Sequence, residues 1–286
     1  MKFCKVTALT VSIFLTVSVV SFANAQSPNF VKRTTTKTDR FDFGSGGTIA
    51  ITGAPNGSVR FVGTNKNEIE ITATIEIEAG SEADVAKLAE VTGFITDESL
   101  SRTAIITIGT HNKFGAKKLP KNFPKNLFGL PFRVDYVINV PHYSDLEIDG
   151  GKGDLEIRNV EGSMRINYLE SNAKIEIVGG NTTIVIGSGS LDVSFGVHGW
   201  RGRSANLQVA KGDLSVRLPS NMSAEIDALI LKSGSIENNL PDLKPRDRKL
   251  PFTEKSIAAK AGVGGAPLKF SVGDGTIKLN SLVTPL

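Results

Sequence analysis

One short phrase recurs along this chain: a glycine, a small polar residue, then an apolar–any–apolar triplet. It stands at Gly47-Thr-Ile-Ala-Ile51, Gly57-Ser-Val-Arg-Phe61, Gly153-Asp-Leu-Glu-Ile157, Gly162-Ser-Met-Arg-Ile166, Gly189-Ser-Leu-Asp-Val193, Gly212-Asp-Leu-Ser-Val216 and Gly275-Thr-Ile-Lys-Leu279, with a weaker copy at Gly234-Ser-Ile-Glu237. Each copy reads as a turn followed by a short strand with one buried and one wet face. A chain that repeats one turn–strand unit must stack its copies, because no single unit can bury its own apolar face. The fold class expected is all-β: a β-solenoid, or β-helix-like array, of short turn–strand repeats. The 29 glycines among 286 residues exceed the ~7% average and fit that many corners.

The spacing supports stacked coils. Apolar positions at Leu146, Leu155, Met164, Ile175, Ile184 and Val193 advance in steps of about 9 to 11 residues, so two steps make a coil of about 18 to 20. Pro141-His-Tyr-Ser-Asp-Leu-Glu-Ile-Asp149 parallels Pro219-Ser-Asn-Met-Ser-Ala-Glu-Ile-Asp227, a second level of repetition. Between Glu68 and Glu78 a long strand alternates cleanly, with Ile69, Ile71, Ala73, Ile75 and Ile77 on one side. Ser81-Glu-Ala-Asp84 then reads as a helix start, and Val85, Leu88 and Val91 share one face before Gly93 ends it. One short amphipathic helix beside a β array is expected to cover an open edge or end.

At the N-terminus Lys2 and Lys5 precede an apolar run, Val6 to Val20, and Ala23-Asn-Ala25 offers the small residues a signal peptidase reads. The reading is a secretory leader over residues 1–25, removed after Ala25. The run of about 15 residues falls short of the ~20 that a spanning helix needs, so no transmembrane helix is expected in the mature chain. Cys4 is the only cysteine and lies before the apolar run, so it leaves with the leader and the mature chain has no disulfide. Residues 26–40 are polar and read as an extended lead-in; residues 41–286 read as a single solenoid domain. The location expected is exported, in the periplasm or at the cell surface.

Charge excludes more than it suggests. The chain carries a net +4, and the leader's two lysines account for half of it. A nearly neutral mature chain without an arginine-rich run does not call for nucleic acid.

One stretch breaks the rhythm. From His111 to Leu130 five lysines, Lys113, Lys117, Lys118, Lys121 and Lys125, interleave with Phe114, Phe123 and Phe128. Pro120 and Pro124 exclude a regular helix or a central strand there, so this is a long excursion loop. Basic residues among aromatics suit an anionic lipid or glycan surface; the bland reading is a loop anchored by its phenylalanines. The only tryptophan, Trp200, is flanked by Arg201 and Arg203. An exposed Trp–Arg pair would stack on a sugar ring or grip an anionic polymer, whereas a tryptophan packed over a coil edge would be structural. The candidate surface contacts are therefore Lys113, Lys117, Lys118, Lys121, Phe123, Lys125, Trp200, Arg201 and Arg203.

Catalytic and metal chemistry find little support. Gly150-Gly-Lys-Gly-Asp154 approaches a calcium-binding nonapeptide, but its Asp comes one position early, Lys152 occupies the loop and the phrase does not recur in tandem. His111, His142 and His198 have no second histidine or cysteine at metal-ligand spacing. No Gly-x-Ser-x-Gly and no phosphate-cradling glycine loop occurs in the right context. No cofactor is expected. Asp145, Glu147 and Asp149, followed by Asp154 and Glu156, alternate as a solvated face would. They are also the residues a polysaccharide-active β-helix enzyme would use, if they stacked in a groove.

Taken in order, an opening Gly-Thr-Ile-Ala-Ile and Gly-Ser-Val-Arg-Phe pair, a long alternating strand, a short helix, Tyr136-Val-Ile-Asn-Val-Pro141, the Gly-Asp-Leu-Glu-Ile repeats, Gly212-Asp-Leu-Ser-Val-Arg-Leu-Pro219 and a last Gly-Thr-Ile-Lys-Leu resemble a bacterial adhesin-like family. That family comprises exported domains of unknown function, similar to auto-transporter-like adhesin heads. The resemblance covers about residues 40 to 280 and implies a β-helix-like fold with an envelope or surface location; it carries no catalytic residues. The Lys/Phe loop and Gly199-Trp-Arg-Gly-Arg203 depart from the pattern. The function expected is a non-enzymatic envelope or surface scaffold whose partners are envelope glycans, an anionic lipid surface or another envelope protein. The alternative is the polysaccharide-active enzyme.

Overall fold

The computed structural model describes residues 30–99, 101–111, 119–120, 122–196 and 200–282. The strands are, in chain order, β1 (Val31–Asp42), β2 (Thr48–Thr52), β3 (Val59–Thr64), β4 (Glu68–Ala79), β5 (Gly93–Glu98), β6 (Arg102–Ile108), β7 (Phe132–Pro141), β8 (Asp145–Lys152) and β9 (Leu155–Arg158). They continue as β10 (Met164–Ile177), β11 (Gly179–Phe195), β12 (Arg201–Leu218), β13 (Ala224–Asn238), β14 (Lys244–Pro245), β15 (Ser256–Ala261) and β16 (Ala266–Ser281), with one helix, α1 (Glu82–Val91). Each coil has two faces. β2 and β8 lie on one face and β3 and β9 on the other, while β10, β11, β12, β13 and β16 are long enough to bend at a corner and serve both.

The alternating pattern becomes interior columns. On one face Ile51, Ile148, Ile166, Ile184, Leu207, Phe270 and Ala228 stack in register, all buried. On the other, Phe61, Ile157, Ile175, Val193, Val216 and Leu279 do the same. Each aliphatic side chain so buried contributes roughly 1.5–3 kcal/mol relative to exposure. The coil from β10 to β11 is 18 residues long, as the spacing predicts, and that from β11 to β12 is 23.

The repeat glycine has a specific cause. Six of the eight, Gly57, Gly153, Gly189, Gly212, Gly275 and Gly234, occupy one corner with φ between +116° and +148°. A Cβ on Gly212 would lie 1.8 Å from the carbonyl oxygen of Gly189, and one on Gly275 1.9 Å from that of Gly212. Both the positive φ and the close backbone approach exclude any other residue. In β10 the place belongs to Ser171, without positive φ.

Coils do not stack in chain order. All pairs along the array are parallel, but the sequence in space runs β11, β12, β16, β13, so the last strand lies between β12 and β13. The same happens at the other end, where β2 lies between β6 and β8, and β3 between β7 and β9. Antiparallel strands close both ends: β5 on β6, β4 on β7, and β15 on β13 with β14 outside it.

The polar segment expected as a lead-in is, from Val31, an edge strand. β1 pairs antiparallel with β4 along its whole length, from Val31 opposite Ala79 to Asp42 opposite Glu68. It has no apolar alternation because it is mostly exposed; backbone bonds and ion pairs such as Lys32–Glu76 (2.6 Å) hold it. Helix α1 begins at the expected cap, where Ser81 Oγ accepts from the Asp84 amide (3.2 Å), and buries Val85 and Leu88. It packs on β4 and β1, covering that end. Among the described residues no helix is long and apolar enough to cross a membrane.

Candidate interaction surfaces

The acidic row on β8 faces outward, and the next coil answers it with different chemistry. Opposite Asp145, Glu147 and Asp149 the array presents Ser163, Arg165 and Asn167 on one side and Thr48, Ala50 and Thr52 on the other. Asp145 Oδ1 accepts from the Ser163 amide (2.6 Å) and Asp149 Oδ1 from the Asn167 amide group (2.9 Å). Glu147 lies between Arg102 (3.0 Å) and Arg165 (3.9 Å). Carboxylates therefore do not stack into a groove; each is matched by a donor or a cation. On the opposite face Arg60 bonds Glu156 (2.6 Å) and holds its carboxyl below the usual range. A general acid needs the reverse, a carboxyl raised toward neutrality. At the glycine loop Lys152 pairs with Glu170 (3.1 Å). Among the described residues no three His, Cys, Asp or Glu side chains come together to hold a metal ion.

Of the excursion loop, Lys113, Phe114, Lys117, Lys118 and Lys121 lie outside the described residues. Its described part is anchored by apolar contacts. Leu127 is buried, Phe123 is half-buried against the core, and Phe123 meets Phe128 edge-on with centroids 5.6 Å apart. Lys125 opens a single 3₁₀ turn between them. His111 packs on Phe132 (4.9 Å), and burial lowers its pKa.

Trp200 is not an exposed platform. It is half-buried, meets Phe195 edge-on (5.5 Å), packs on the core and lies over Gly202, where a Cβ would come within 2.2 Å of its Nε1. That corner brings together residues the sequence left apart. Tyr143 bridges to Glu161, Glu161 stands one coil from Gly179, and Gly179 pairs with Arg201. Arg201, 70% exposed, reaches over Gly179 toward Glu161 (3.6 Å). His142 Nδ1 donates to the Asn159 carbonyl (2.7 Å), leaving Nε2 directed at Glu161 (3.7 Å). Asn159 adopts the left-handed region (φ 56°) and donates its side-chain amide to the Gly63 carbonyl (2.7 Å), which fixes the turn. Arg203 is exposed at a register shift between β11 and β12, where β12 carries an extra residue. His198 lies outside the described residues. Tyr143, His142 and Glu161 were not among the candidate contacts; the 18-residue step, applied from Tyr143, would have found Glu161 and Gly179.

No curated protein matches the chain. Similar solved structures include a "putative cell adhesion protein" from Clostridium sporogenes, with 13% identity, 87% of this chain and 100% of that one covered and a TM-score of 0.43. A "putative adhesin" from Bacteroides fragilis has 11% identity, 87% and 97% coverage and a TM-score of 0.35. A third, from Parabacteroides merdae, has 10% identity, 85% and 95% coverage and a TM-score of 0.26. The Toastrack family DUF4097 matches residues 28–280, nearly the whole array from the first strand to the last. By that match, the chain belongs to the Toastrack DUF4097 family.

Proposed function

We propose that this protein is an exported, non-enzymatic envelope or cell-surface domain that holds a binding surface on a rigid stack of coils. The observation that carries this reading is the outer face of the array. Polar side chains one coil apart bond each other in register, as Asn167 does with Asp149 and Ser190 with Asn172. Such a surface is ordered before any partner arrives, which lowers the entropy cost of binding. The carboxylates of β8 and β9 are spent on neighbours, which supports binding rather than turnover. The leader-like residues 1–25 support export, and the excursion-loop lysines supply a basic feature suited to anionic lipid, glycan or another envelope protein.

Fractionation of the native cell, with intact mass of the recovered protein, tests the reading. The expected result is an envelope or surface fraction and a chain beginning at Gln26, with no release of sugar from polysaccharides. Retention of Met1 in the cytoplasm overturns it. Product release that stops on Asp149→Asn or Asp154→Asn would replace it with the polysaccharide-active enzyme.

A further inference from the structure

The corner column from Tyr143 to Arg203 gathers three recognition groups. Tyr143 is 51% exposed and is held edge-on against His142, with centroids 4.7 Å apart at 76°. Its ring is thus oriented without being packed into the core. Glu161 is mostly buried, its side chain 17% exposed, yet its nearest polar partners among the described residues are Arg201 at 3.6 Å and His142 at 3.7 Å. Both are ion pairs longer than a hydrogen bond, so a carboxylate able to accept about four bonds accepts none from the described residues. Arg203 sits on the bulge of β12, exposed, with no ion pair or hydrogen bond among the described residues. Bulges re-aim side chains, and this one leaves an exposed arginine two residues from Arg201. Gly179 contributes no side chain between Glu161 and Arg201, and the Glu161 side chain lies over it, its Cγ 3.1 Å from where a Cβ would stand.

We propose that this column binds a linear acidic oligosaccharide lying across the coils, parallel to the solenoid axis. The proposal rests on the scaffold reading above and names its ligand class. A sugar ring offers an electropositive C–H face, which suits the electron-rich face of Tyr143. Its hydroxyls supply the donors that Glu161 lacks. A uronate carboxylate at the far end matches the forks of Arg201 and Arg203. The length fits a chain rather than a single ring: Tyr143 and Arg201 are three strand spacings apart, about 14 Å. A polyanion bearing only phosphate would bring charge for the arginines but no donor for Glu161. Trp200 takes the positioning role, its indole packed over Gly202, the residue between the two arginines.

Calorimetric titration of the full chain with oligogalacturonate, neutral maltohexaose and inorganic phosphate tests the site, with fluorescence of the single tryptophan, Trp200, as a local reporter. Oligogalacturonate should bind saturably and more tightly than either other probe. Tyr143→Ala and Arg203→Ala should each weaken it about fivefold or more, with unchanged circular dichroism. Lys211→Ala, an exposed lysine eight residues along β12 from Arg203, beside the Gly212 corner, should leave it unaltered. Three results would overturn the site: equal binding of phosphate or maltohexaose, full binding after Tyr143→Ala, or as large a loss from Lys211→Ala as from Arg203→Ala. Absence of binding to all three probes would refute the column while leaving envelope location, measured separately, untouched.

Discussion

Replacing Gly212 with alanine should damage this fold more than its single methyl group suggests. Gly212 has φ +128°, and its new Cβ would lie 1.8 Å from the Gly189 carbonyl oxygen, a backbone atom that cannot swing aside. The conformation alone costs about 1–3 kcal/mol for a residue with a side chain. Relieving the overlap means separating β11 from β12 at the corner, and each ladder bond lost there costs about 1 kcal/mol net. The reduced freedom of the unfolded chain returns roughly 0.4–1 kcal/mol. The expected loss is about 3–5 kcal/mol, a large part of the ~5–15 kcal/mol that holds a domain folded. At roughly 2–4 °C per kcal/mol for a domain of this size, the melting temperature should fall by about 6–20 °C. Two further alanines separate the causes. Gly129 has φ +75° but nothing within 4 Å, so its replacement should cost only the conformational strain, about 1–2 kcal/mol. Gly44 has neither constraint, so its replacement should be neutral or slightly stabilising. Urea denaturation followed by circular dichroism measures all three. Equal losses at Gly212 and Gly129 would show that stacking does not require the corner glycine.

Ile175→Asp should unfold the protein or cost several kcal/mol, because Ile175 is 2% exposed between Ile157 and Val193, while the outward Glu176→Ala should cost under about 0.5 kcal/mol; thermal denaturation of the pair checks the assigned faces. Acidification should also destabilise the array. Arg40 beside Glu68 and Arg60 beside Glu156 hold those carboxyls low, and at Asp135 bonds from Arg133 and Ser58 outweigh the effect of burial. Groups whose folded pKa is depressed stabilise the fold above their unfolded pKa and lose that contribution as pH falls through the folded one. The urea midpoint should therefore drop between about pH 5 and pH 2, and a midpoint constant over that range would contradict the assignment.

The repeat made the coils legible because one physical requirement, a positive-φ corner pressed against the previous carbonyl, leaves one residue type as its trace. Alternation made the interior columns legible for the same reason: Ile166 and Ile184 need burial, and Arg165 and Thr183 do not. β1 left no such trace, since its residues are mostly exposed and its cohesion comes from backbone pairing with β4. Stacking order was equally hidden. Gly234 and Gly275 present the same corner, so local pattern does not say which of them follows Gly212. Among the candidate contacts, the pattern located Trp200 and its arginines but not the exposure of the indole, which depends on Phe195 and Gly202. Glu161 and Tyr143 carry meaning only when stacked, and no linear reading places them beside Arg201.

The placement of β16 between β12 and β13 has a consequence for how the chain is made. Partners in β12 and β16 such as Asp213 and Thr276 are 63 residues apart. At ~5–20 residues per second of synthesis, β12 waits about 3–13 s for its neighbour. For the later part of that interval β13 is already present and lies nearer in the chain. It can pair with β12 in a coil that follows the order of synthesis, and β16 must then either displace it or settle outside it. Two features favour the final arrangement. β16 matches β12 without a register shift, whereas β13 meets β16 with one between Ile230 and Ser233, an irregularity better tolerated at the end of the stack. A chain cut short before Ala266 would therefore lack an internal coil rather than a terminal one. Release of the whole chain, not the appearance of each successive coil, is the event that commits the C-terminal third to its structure.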